Sequence, residues 1–259
     1  MDLEHVDYRP RYRLCRVGLF LAAVASGVMA SEDLGFLGFL LTLHRPIHEF
    51  LSSPGWLWFG GTAMAWTALL GSYLLWGRWS EPDWQKRSGT LVLIALCGVG
   101  VWVWQHREAF GLFGQGHPQT DWTTEIARKG LRWGWLLLLT GLAADVAVHL
   151  GREEAQESRA SLYALITAGM AVWVFHVINS TDWAGGWPLR PGGFRQTTWL
   201  MLLGVTGLRS LSAFLVTALS LLASRECGRI VRELDQAEKG LDLFPTPSES
   251  GWGASPPGR

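Results

Sequence analysis

The chain has 259 residues, 49% of them hydrophobic, and its 22 basic residues are balanced by 22 acidic ones. A net charge of zero supplies no bulk field for nucleic acid, and three cysteines are too few for a disulfide framework. The charges are segregated into short stretches between long uncharged runs, the pattern of an all-α integral membrane protein with no separate soluble domain.

In chain order, residues 1–13 read as an N-terminal tail, 14–223 as a polytopic transmembrane domain and 224–259 as a C-terminal tail. The first apolar segment, 14–30, is short. Only Val17–Ala30 is uncharged within it; Arg9, Arg11, Arg13 and Arg16 before that run and Val28-Met29-Ala30 at its end suit a cleaved signal. The long acidic approach (Asp2, Glu4, Asp7) and the renewed apolar run GFLGFLL at 35–41 favour a retained helix. Retention gives a bundle of about six helices, and cleavage gives five. An interfacial helix is expected near 34–52, with Pro46 of HRPIHEF suited to a first helical position. Transmembrane helices are then expected at 54–77, 88–105, 131–150, 160–178 and 197–223. The tail after Ser224 begins as a helical pattern and ends in PTPSESGWGASPPGR, a flexible composition.

Alternate threading of six helices puts fourteen Lys and Arg on the side of the termini and seven on the other, with Arg209 inside a helix. The positive-inside rule therefore places both termini in the cytoplasm and the protein in the cell (inner) membrane. Tryptophan is uneven in the same frame. Eleven of the 16 (56, 58, 102, 104, 122, 133, 135, 173, 183, 187 and 199) fall near the outer side, and only Trp76, Trp79 and Trp84 near the inner one. An aromatic outer rim, or a Trp-rich surface for a partner, accounts for that bias.

Five histidines, His44, His48, His106, His117 and His176, share the outer side, enough to hold a transition metal. His44, His48 and His117 are candidate metal ligands. Pro46 breaks the helical relation between His44 and His48, so HRPIHEF reads first as a helix start rather than a zinc-binding turn. His106 and His176 end two helices that run the same way, and two such imidazoles could supply the axial ligands of a b-type haem near the outer surface.

Asp145 and Arg209 are the deepest ionisable residues in this threading. Their depths differ by about 3 Å, which predicts an intramembrane ion pair acting as a clamp. No G-x-S-x-G elbow, phosphate loop, CxxC or HExxH sequence is present, and no catalytic residue is assigned. Three functions follow in order: a non-enzymatic subunit or assembly factor of a larger membrane complex, a haem- or metal-binding electron-transfer protein, and a small-solute or ion transporter using Asp145 and Arg209. The expected partners are the lipid bilayer and other membrane-protein subunits, with no nucleic acid.

Overall fold

The computed structural model describes residues 9–42, 54–77, 79, 81–106, 122–180 and 196–242. Among them are six helices and no strand: α1 (Arg9–Thr42), α2 (Pro54–Leu75), α3 (Pro82–Gln105), α4 (Trp122–His149), α5 (Glu154–Ser180) and α6 (Gln196–Asp242). Five of these, α1 and α3 to α6, are long and apolar enough to cross a membrane by length and composition.

Local chemistry sets the ends of these helices. Pro82 opens α3, where a missing N–H costs nothing, and Asp83 in the first turn complements the helix dipole. Gly77 follows α2 at φ +66°, and Trp84 of α3 donates its indole N–H to the carbonyl of Leu75 at 3.2 Å, satisfying a carbonyl at the end of α2. After α4 the chain reverses at Gly151, whose φ of +86° is a left-handed conformation that glycine adopts without strain. The amides of Gly151 and Arg152 donate back to the carbonyls of Val148 and Ala147, both at 2.9 Å.

Each helix packs against its sequence neighbours, and α6 returns to α1 and closes the ring. α4 also packs against α6 and α1, so it is the most enclosed element. Trp133, Leu136, Leu139, Leu142, Ala143 and Val146 are all fully buried there. Glycines set the closest approaches. A Cβ on Gly71 of α2 would lie 2.9 Å from both the Ala22 amide nitrogen and the Gly18 carbonyl oxygen of α1. Between α4 and α5, Gly169 makes room for the Trp133 ring and Gly141 for the Tyr163 hydroxyl.

Two expected boundaries move. No separate interfacial helix begins at 34: residues 34–42 continue α1 without a break, and 43–52 lie outside the described residues. The chain does not leave the bundle at Ser31-Glu32-Asp33, because both carboxylates are met by arginines and the Ser31 hydroxyl bonds back to the carbonyls of Gly27 and Val28 at 2.8 and 3.0 Å. Likewise the helical part of the C-terminal tail is the continuation of α6. Its 47 residues measure roughly 70 Å at 1.5 Å per residue, far more than a bilayer core. The overhang is tied to the start of α1, where Arg9 pairs with Glu238 and Arg13 with Asp235 at 3.3 Å.

The tryptophan pattern also changes meaning. Trp102, Trp133 and Trp135 are core residues rather than rim residues, and Trp135 donates to the Ser72 hydroxyl at 3.1 Å. The side chains of Trp56, Trp58, Trp122, Trp183, Trp187 and Trp199 lie outside the described residues.

Candidate functional site

Charged side chains enter the bundle at two levels. At the end remote from the termini, α1 presents two successive acids. Asp33 accepts two hydrogen bonds from Arg209 of α6, from Nε at 2.6 Å and from a terminal nitrogen. Glu32 pairs with Arg132 of α4 at 3.0 Å. Asp33, Arg132 and Arg209 are 2%, 7% and 6% exposed, so three charges of this cluster are buried where α1, α4 and α6 meet, with Glu32 partly exposed at its edge. The fork of Arg209 matches the carboxylate in a bidentate pair, a geometry that lysine could not reproduce. Arg132 lies within electrostatic range of both Asp33 and Arg209, while its Nε and second terminal nitrogen have no hydrogen-bond acceptor among the described residues.

At the terminal end, Asp145 of α4 is gripped by Arg87 of α3 at 2.5 Å and Arg159 of α5 at 2.7 Å, with the Arg159 guanidinium 5.3 Å from the Tyr163 ring centre. Towards the same end Glu226 of α6 receives Arg152 at 2.8 Å and Arg229 at 2.8 Å. Arg152 sits in the α4–α5 turn, and its hydrogen bond to Glu226, reinforced by that charge, raises its pKa above the ordinary arginine value.

The expected Asp145–Arg209 pair is therefore replaced by two clamps at opposite ends. α4 begins at Trp122, nine residues before the start read from its uncharged run, so Asp145 is displaced towards the terminal end. Arg132, not Asp145, stands level with Arg209, and the thirteen-residue step from Arg132 to Asp145 spans roughly 20 Å. The signal for the true partners was in SEDLGFLGFLL, where two adjacent acids have apolar sequence on both sides. Acids in that setting call for buried cations.

The histidines separate. His106 is the C-cap of α3, with its Nδ1 2.9 Å from the Trp102 carbonyl and its ring stacked on that indole at 5.1 Å. His176 is half-buried on α5, within range of Lys129 of α4. Among the described residues α3 and α5 do not pack on one another, and α4 lies against both. His44, His48 and His117 lie outside the described residues. No group of three or more His, Cys, Asp or Glu among the described residues is placed to hold a metal ion.

Between the two charged levels the buried polar groups are hydroxyls. Ser26 and Thr217 hydrogen-bond across α1 and α6 at 2.8 Å, and Thr140 and Ser212 bond to carbonyls of their own helices. The arrangement joins helices and offers no ladder of titratable groups from one end to the other among the described residues. Comparison with known families, with characterised proteins and with solved structures gives no match to this chain.

Proposed function

We propose that this chain is a multi-pass membrane protein serving as a non-enzymatic subunit or assembly factor of a larger membrane complex. Its long apolar helices support the membrane setting. The observation that carries the partner is Trp66. It is the thirteenth of the 22 residues of α2, an uncharged helix read here as a further span beside α1 and α3 to α6, and it is 51% exposed. An indole facing outward at mid-helix is misplaced in lipid, because its N–H prefers the headgroup level and hydrocarbon offers no acceptor. Phe59, Leu70 and Tyr73, also exposed, share its helical face, standing seven, four and seven residues from it. A helix of another polypeptide laid on this stripe would cover the rings and accept the indole hydrogen bond.

The interior agrees with a structural role, since its charged residues are clamps between helices and its middle is hydroxyl and hydrocarbon. A photoreactive amino acid at position 66, activated in native membranes, is expected to give a discrete adduct with a second membrane polypeptide. The same group at Leu93 or Phe214, exposed on other helices, is expected to label lipid. Lipid adducts alone at position 66 would remove the basis for a partner on this face.

A further inference from the structure

Cys15 and Cys227 are both buried, at 1% and 0% exposure, in the same apolar core, one on α1 and the other on α6. The register of these two helices sets them at the same level. Asp33 lies eighteen residues after Cys15 on α1, and Cys227 lies eighteen after Arg209 on α6. Eighteen residues are five full turns at 3.6 per turn, so each cysteine projects from the same side of its helix as its partner in the ion pair. The helices are antiparallel, and Asp33 meets Arg209. Stepping five turns along both therefore sets Cys15 and Cys227 at the same level of the α1–α6 seam.

The intervening contacts show that the helices stay apposed over that length. Ser26 meets Thr217 at 2.8 Å, midway. One residue beyond Cys15, the Arg16 carbonyl accepts from the Ser224 hydroxyl at 3.0 Å, and a Cβ on Gly228 would lie 3.1 Å from Arg16 Nε. The residues adjoining both cysteines are thus in contact. Small residues on the same stripes, Ala22 on α1 and Ala213 and Ala223 on α6, let the backbones approach closely.

We propose that Cys15 and Cys227 form a facing dithiol that is a site of oxidative modification, closing to a disulfide that ties the first helix of the chain to the last. The co-reactant is a small, apolar disulfide RS–SR able to enter the bundle. One cysteine thiolate attacks a sulfur of RS–SR, forming a mixed disulfide and expelling RS⁻. The second cysteine attacks the protein-bound sulfur of that mixed disulfide and expels the other RS⁻. The two cysteine protons leave on two RSH, the two cysteines give up two electrons, and RS–SR takes them.

The experiment uses the full chain in detergent with Cys97→Ser, which removes the exposed third thiol on α3, and 2,2′-dithiodipyridine as the disulfide. A second chain, C15A/C97S/C227A with S26C/T217C, places two thiols where the structure already has touching hydroxyls, and its complete closure sets the reagent and time. Under those conditions the native pair is expected to release two equivalents of thione and lose two hydrogens in mass. After denaturation it should carry neither a free thiol nor a pyridyl adduct, and digestion should yield a peptide joining Cys15 to Cys227. Adding Cys15→Ala should convert this to one pyridyl adduct on Cys227. Pyridyl adducts on both cysteines, or two thiols still free when the control has closed, would overturn the facing pair.

Discussion

The Asp33–Arg209 clamp makes a quantitative claim. Both side chains are almost wholly buried and joined by two hydrogen bonds, so removing either one strips the other of its bidentate partner inside the bundle. Breaking such a pair costs about 3–5 kcal/mol, whereas apolar replacement of both partners is often close to neutral. The two single losses should also differ. Arg209→Met leaves Asp33 within range of Arg132, whose Nε and second terminal nitrogen lack acceptors and can turn towards it. Asp33→Leu removes the acceptor of two Arg209 hydrogen bonds and leaves that guanidinium within electrostatic range of Arg132.

We therefore expect Asp33→Leu to cost near 5 kcal/mol and Arg209→Met near 3, both approximate, with the double variant within about 1.5 kcal/mol of the parent. At 1.4 kcal/mol per decade the singles amount to roughly two to three and a half decades in the folding equilibrium. Reversible unfolding in mixed micelles, followed by tryptophan fluorescence while a denaturing detergent is titrated in, measures all four corners of the cycle. Additive losses, or a double variant worse than either single, would refute the clamp. The matching cycle on Asp145 and Arg209 should be additive, because the two residues belong to different clusters.

Asp145→Asn leaves Arg87 and Arg159 converging without a carboxylate. The site is about a quarter exposed, so solvent screening limits the loss to roughly 1–2 kcal/mol in the same assay, reduced by salt. Gly71→Ala should destabilise by about 1–3 kcal/mol, because the new methyl would press on backbone atoms of α1. Gly98→Ala, in open space on α3, should instead stabilise by about 0.5–1 kcal/mol, and equal effects would discredit the α1–α2 crossing. The purified protein should show no Soret band; a band abolished by His106→Ala and by His176→Ala would restore the electron-transfer reading. Reporter fusions after Glu157 and after Thr120 should read as cytoplasmic and external respectively, and a cytoplasmic signal at 120 would invert the orientation drawn from the basic residues.

The sequence by itself determined that the chain is a set of long helices alternating in direction. Uncharged runs of about twenty residues bounded by charge leave little other choice, and the ends that the runs imply are the ends where Trp79 meets His149 and Arg13 meets Asp235. It also marked Asp145 and Arg209 as charges in need of partners. The partners themselves were decided only by the tertiary structure. Composition finds where an uncharged run stops, but a helix continues through charges, as α1 does at Glu32 and Asp33, which its neighbours neutralise, and as α4 does from Trp122 to residue 131. An error of nine residues in a helix start moves every side chain on it by roughly 14 Å along the axis. That shift is enough to pair Arg209 with the wrong acid. Burial was equally hidden: Trp133 and Trp135 look like interfacial indoles in one dimension, and only the glycine notch at 169 and the hydroxyl of Ser72, both on other helices, make them core.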